Sequence, residues 1–215
     1  LSNDRGYAAY NPSEIRQFFG KLGFQNDRVD LDLTLMYADN FMNGNQNVPI
    51  SSLGNAAQGY SHPDYTGTQS GTLNLRGSLA VNATNSMTGN VYYRNIARDI
   101  FNSNIGNPVA TSTNDATCAT SADCPASNLL AHFTQNIYGG NLQWSNNGKL
   151  MGKSQVMTFG VNAEYGKTAF GNSGQNAFVD NTGATIGVDT FMPQATIRST
   201  NRRFGIFATD TISAS

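Results

Sequence analysis

The run Val29-Asp30-Leu31-Asp32-Leu33-Thr34-Leu35-Met36-Tyr37-Ala38 decides the fold class. Successive side chains of a β-strand point to opposite faces. Val29, Leu31, Leu33, Leu35 and Tyr37 therefore share an apolar face, and Asp30, Asp32, Thr34, Met36 and Ala38 a mostly polar one. Helical periodicity fits neither set. Thr72 to Thr84 repeats the alternation, with Leu73, Leu75, Gly77, Leu79, Val81 and Ala83 opposite Thr72, Asn74, Arg76, Ser78, Asn82 and Thr84. That length exceeds the roughly five or six residues of an ordinary globular strand.

Weaker copies of the pattern lie on either side. Phe18, Gly20, Leu22 and Phe24 share parity within Arg16 to Gln25; Gly89, Val91 and Tyr93 do so further on. Tyr138, Gly140, Leu142 and Trp144 follow, then Met157, Phe159, Val161, Ala163 and Tyr165. A last strand starts near Arg203, its parity left open between Phe204 with Ile206 and Phe207. About seven strands are thus predicted, all in an antiparallel all-β fold. Tight turns are expected at Asn26-Asp27-Arg28, Asn85-Ser86-Met87 and Asn146-Asn147-Gly148-Lys149, where Asn and Gly supply unusual dihedrals. Long connections are expected at about Asp39 to Ser70, Arg98 to Gln135 and Lys167 to Asn201. Connections of about 30 residues are rare in compact domains. Short and long alternating is the rhythm of an outer-membrane barrel, with short periplasmic turns and long extracellular loops. A soluble β-sandwich also gives alternating strands, but it sorts neither connections by length nor strands to about ten residues.

Composition agrees. Charged residues make up 13% of the 215, about half the usual share, while Gly (22) and Asn (27) are abundant. A net charge of −1 gives no footprint for nucleic acid. No apolar run is long enough for a membrane-spanning helix. The first residues, Leu1-Ser2-Asn3-Asp4, do not read as a signal peptide. Seven strands cannot close, because bacterial single-chain barrels have an even number. Residues 1–215 are therefore expected to be one incomplete barrel segment, with Leu1 to Glu14 the tail of an earlier loop.

The succession of segments resembles TonB-dependent outer-membrane receptors. It is carried by Tyr60-Ser61-His62-Pro63-Asp64-Tyr65-Thr66, then Leu73-Asn74-Leu75-Arg76-Gly77-Ser78 and Gly89-Asn90-Val91-Tyr92-Tyr93-Arg94. Gly140 to Trp144, Val156-Met157-Thr158-Phe159-Gly160 and Phe204-Gly205-Ile206-Phe207-Ala208-Thr209-Asp210 continue it in order. The resemblance implies a multi-pass protein of the bacterial outer membrane, a 22-stranded barrel filled by a plug. It further implies uptake of a scarce extracellular ligand, an iron–siderophore or similar metal chelate first of all, driven by a TonB-type energy-coupling protein. The plug and the TonB box do not occur in these residues. Rival readings are a plugless porin or barrel adhesin, or a soluble extracellular glycan-binding β domain.

No catalytic motif occurs, so an enzyme is not expected, and no cofactor or resident metal is implied. His62-Pro63-Asp64 has no partner histidine at ligand spacing and reads as a loop turn. Cys118 and Cys124, five residues apart once the intervening ones are counted, suit a local disulfide in an extracellular loop. Asp30, Asp32, Asn74, Arg76, Asn162 and Glu164 on the polar face are candidates to face the lumen, the plug or a ligand path. Tyr60, Tyr65, Phe170 and Phe191 are candidates for an aromatic vestibule, with mutual loop packing as the equal alternative. Leu31, Leu33, Leu35, Leu73, Leu75, Leu79, Val81, Leu142, Phe159 and Val161 are expected to meet lipid. Tyr37, Tyr93, Tyr138 and Tyr165 should band together at the long-loop end of that face, with Trp144 at the opposite end.

Overall fold

A computed structural model describes residues 2–6, 8–44, 61–105, 126–180 and 182–213. They form ten strands: β1 (Ser2–Asp4), β2 (Ser13–Gln25), β3 (Val29–Asn43), β4 (Tyr65–Ala80), β5 (Asn85–Ile105), β6 (Ala126–Asn146), β7 (Lys149–Leu150), β8 (Lys153–Val179), β9 (Thr185–Gly187) and β10 (Met192–Ile212). The main sheet has the order β1-β2-β3-β4-β5-β6-β8-β10, every pairing antiparallel, and is open between its edges. The seven long strands are β2 to β6, β8 and β10.

Register turns the sequence parity into a continuous surface. Leu22 pairs with Leu33, Leu33 with Leu75, Leu75 with Val91 and Val91 with Gly140; the row continues through Ala163 to Phe204. Phe24, Leu31, Gly77, Gly89, Leu142, Val161 and Ile206 form the neighbouring row. The open parity of the last strand is thereby settled: Phe204 and Ile206 join the apolar face, and Phe207, opposite Gly160, the other. Tyr93, Tyr138 and Tyr165 are direct cross-strand neighbours, and Tyr37 lies one dyad further along. The Tyr93 and Tyr138 ring centroids are 4.8 Å apart. Trp144 lies at the turn end of the same face, between Met87 and Phe159. An apolar belt thus runs across seven strands, edged by tyrosines on the long-connection side and by Trp144 on the other.

Among the described residues nothing packs over this belt. Leu33, Leu75, Val91, Leu142 and Phe204 are all exposed, whereas the buried apolar residues are small apart from Ile137: Ala8, Ala126, Ala131, Ala177 and Ala184. Each large apolar side chain left in water forgoes about 1.5–3 kcal/mol. Among the described residues no second sheet packs against this one.

Four expectations are corrected. Strands run well past their expected ends, so much of the three expected long connections is strand: β5 reaches Ile105, β6 begins at Ala126 and β8 reaches Val179. The second tight turn is Val81 to Thr84, which moves Val81 out of its strand and places Asn85-Ser86-Met87 inside β5. There Asn82 Oδ1 accepts from the Thr84 and Asn85 amides at 3.0 and 2.9 Å, as Asn26 Oδ1 accepts from Arg28 and Val29 at 2.9 and 2.8 Å. The third tight turn carries an extra hairpin, β7 against the start of β8, closed by Met151 and Gly152 at φ 53° and 83°. Positive φ at both central residues gives the twist that two-residue hairpins need. Finally, Leu1 to Glu14 is not all loop, since β1 pairs with the start of β2.

Candidate functional site

The polar face carries the first group of candidate residues in two adjacent rows. Gly23, Asp32, Arg76, Asn90, Asn141, Asn162 and Gly205 are successive register partners, as are Lys21, Thr34, Asn74, Tyr92, Gly139, Glu164 and Arg203. Sequence parity thus brought Asp32, Asn74, Arg76, Asn162 and Glu164 together; Asp30 sits one row nearer the turns, opposite Ser78. The rows are knitted by side chains. Asn90 Nδ2 donates to Asn74 Oδ1 at 2.9 Å, and Asn141 Nδ2 donates to Asn90 Oδ1. Lys21 pairs with Asp32 at 3.1 Å.

Tyr92 is the member that parity alone did not single out. Its hydroxyl crosses β6 to donate to Glu164 Oε2 on β8 at 2.7 Å, and Arg203 approaches Glu164 from β10 at 3.7 Å. Gly139 makes this possible, because a Cβ there would overlap the Tyr92 ring and hydroxyl. Phe207 lies over Gly160 for the same reason. The signal was present as an aromatic two strands from a carboxylate with glycine between, but only register exposes it.

At the long-connection end the candidates separate. Tyr65 stacks between Phe41 and Phe101 at 5.3 and 5.7 Å, and Phe191 meets Phe101 edge-on at 6.2 Å. Phe41, Tyr65 and Phe101 have the parity of the apolar belt, not of the polar rows. Phe170 has polar-face parity and pairs with Phe133 and Ile197. Tyr60, Cys118 and Cys124 lie outside the described residues.

The same end holds a polar knot. The segment at His62 forms a parallel bridge with Ala184, donating to Gly183 O at 3.0 Å and accepting from Thr185 N at 2.9 Å. Beneath it Ser61, Ser103, Asn128 and Thr185 are buried. Ser61 Oγ donates to Ser103 O at 3.1 Å; Thr185 Oγ1 bonds Ser103 Oγ at 2.8 Å and Asn128 Oδ1 at 2.6 Å. His62 itself stacks on Tyr10 at 3.8 Å, a packing role. Asp180 Oδ1 organises the adjoining turn by accepting from Thr182 Oγ1, Thr182 N and Ala184 N at 2.7, 2.8 and 2.9 Å. The Thr182 hydroxyl and those two amides hold its carboxyl below the ordinary range. Next to the knot opens a cleft of about 410 Å³ lined by Asn104, Ser127, Asn128, Asn176, Asp189 and Gln194. Amides and hydroxyls there offer donors and acceptors with little net charge. Among the described residues no group of three or more His, Cys, Asp or Glu stands ready for a metal ion.

Neither a protein-family model nor a curated protein matches the chain. Solved structures do. The unliganded ferric citrate transporter FecA superposes with TM-score 0.72 at 9% identity, over 97% of this chain and 28% of that one. FpvAI, solved in complex with pyocin S2, gives 0.68 at 11% identity over 99% and 30%. BauA, the ferric preacinetobactin receptor of Acinetobacter baumannii, gives 0.59 at 13% over 98% and 33%. The chain thus spans a third or less of each. These are TonB-dependent receptors, and at such identities what is shared is their fold: the antiparallel barrel wall.

Proposed function

We propose that this chain is part of the barrel wall of a TonB-dependent outer-membrane receptor, which binds a scarce extracellular ligand and imports it by energy-coupled transport. The observation that carries the reading is the uncovered apolar belt, edged by Tyr93, Tyr138 and Tyr165 on one side and Trp144 on the other. Amphipathic rings belong at the two headgroup levels of a bilayer, with aliphatic side chains between them. The short hairpins then face the periplasm and the long connections the exterior. In the complete receptor the wall closes as a 22-stranded barrel around a plug, so the rows of Asp32 and Glu164 face the lumen and bond the plug or line the ligand path. The cleft at Asn104 and Asn176 lies at the outer rim, where ligand first lands. An iron–siderophore or similar metal chelate is the ligand class, in keeping with the ferric citrate transporter FecA and the ferric preacinetobactin receptor BauA.

Electrical recording separates this reading from a plugless porin. The full-length receptor in a planar bilayer should stay closed to ions, because a plug fills its lumen. Steady porin-like conductance overturns the receptor assignment. Native mass spectrometry of receptor from iron-starved source cells should then find a bound metal chelate.

A further inference from the structure

On the belt face, three cations gather where β6, β8 and β10 pass the tyrosine row. Tyr165 is in register with Tyr138 and with Arg202; one dyad further, Lys167 lies between Asn136 and Thr200; next comes Ala169 between Thr134 and Arg198. No carboxylate occupies these three rows on the three strands. Lys167 Nζ and Arg202 Cζ each stand 5.8 Å from the Tyr165 ring centroid. None of the ion pairs among the described residues engages Lys167, Arg198 or Arg202. Across the sheet the corresponding cation is neutralised, since Arg16 bonds Glu14 at 2.6 Å and faces Asp39. Arg203, one residue from Arg202, turns to the other face and Glu164.

A groove begins where the cations end. Gly140 and Ala163 are adjacent small residues in the belt, with Tyr138 and Tyr165 on one side, Leu142 and Val161 on the other and Phe204 alongside. They floor an apolar depression of about 640 Å³ whose lining includes Arg202. Cations at one end and an apolar trough at the other match one chemistry, an amphiphile with an anionic head.

We propose that Lys167, Arg198 and Arg202 bind the phosphate of a lipid headgroup while one acyl chain of that lipid lies in the Gly140–Ala163 groove. The proposal rests on the barrel wall crossing a membrane. Guanidinium groups suit phosphate because they donate two parallel hydrogen bonds, and Lys adds a flexible charge. Their stems run along apolar surface while the charged ends reach headgroup level, where Tyr165 already sits. The groove selects for a chain, and the cations for a phosphate.

The test uses full-length receptor in phosphatidylcholine vesicles containing a minor share of phosphatidic acid or of diacylglycerol, which has the same tails without the phosphate. After mild detergent extraction, native mass spectrometry counts retained lipid. Wild-type receptor should keep phosphatidic acid in preference to diacylglycerol. Removing Lys167, Arg198 and Arg202 with Gln should lower that retention by on the order of fivefold per cation. Ala163→Phe, which fills the groove, should lower it with all three cations intact, and Arg203→Gln on the opposite face should leave it unchanged. Equal retention of the two lipids, or wild-type retention by the triple variant, overturns the site while leaving the membrane reading intact. A receptor that never enters the vesicles overturns both.

Discussion

At the scale of single residues, parity decides which substitutions matter. Leu33 and Thr34 are neighbours in β3, yet their side chains meet Leu22 with Leu75 and Lys21 with Asn74 respectively. Leu33→Arg should cost about 2–4 kcal/mol if it lies near the bilayer midplane, whereas Thr34→Arg on the polar face should cost little. Denaturant unfolding of the full-length receptor in vesicles, followed by tryptophan fluorescence, checks this pair. The polar rows allow a finer test. Tyr92→Phe removes the 2.7 Å bond to a Glu164 side chain that is 27% exposed, so the loss should be near 1 kcal/mol. Gly139→Ala should cost at least as much, because its methyl displaces the Tyr92 ring. Combined with Tyr92→Ala, that penalty should vanish; a full penalty there would show that Gly139 serves something else.

At the scale of elements, the strands were legible where they alternate and silent elsewhere. Val29 to Ala38 shows its parity because one face is lipid-like and the other polar. From Thr168 to Asn176, β8 reads Thr, Ala, Phe, Gly, Asn, Ser, Gly, Gln, Asn, with polar residues on both faces, so periodicity carries no signal although the ladder continues. The same holds for β5 beyond Arg94 and for β6 before Asn136. The polar knot left no trace either, since Ser, Thr and Asn occur throughout the chain and only register buries Ser103 and Asn128. The turn beside the knot should be sensitive to acid. Hydrogen bonds from the Thr182 hydroxyl and the Thr182 and Ala184 amides depress the Asp180 pKa, so its contribution is present at neutral pH and is lost as pH falls through that lowered value. Protection of the Thr185 amide, bonded to His62 O, relative to its intrinsic exchange rate at each pH should therefore fall in acid, and Asp180→Asn should lower it already at neutral pH. Protection unaffected by acid or by the substitution would remove Asp180 from this role.

At the scale of the whole molecule, two faces of one sheet must serve two environments. The belt leaves too many large side chains uncovered for water, and the polar rows form too complete a hydrogen-bonded surface for lipid. The proposed wall between a bilayer and a hydrated or plugged lumen satisfies both. Alternation revealed the sheet and its seven long strands, and four tyrosines and one tryptophan marked the ends of the belt. The connection boundaries were hidden because beyond the belt both faces are polar. The most direct test of the account places nitroxide labels singly at Asp32 and Leu33 of the full-length receptor in bilayers and compares quenching by oxygen, which concentrates in lipid, with quenching by a water-soluble nickel chelate. The account predicts that the label at Leu33 is relaxed by oxygen and shielded from nickel, with Asp32 far less accessible to oxygen; greater oxygen accessibility at Asp32, or equal values at both, would contradict it.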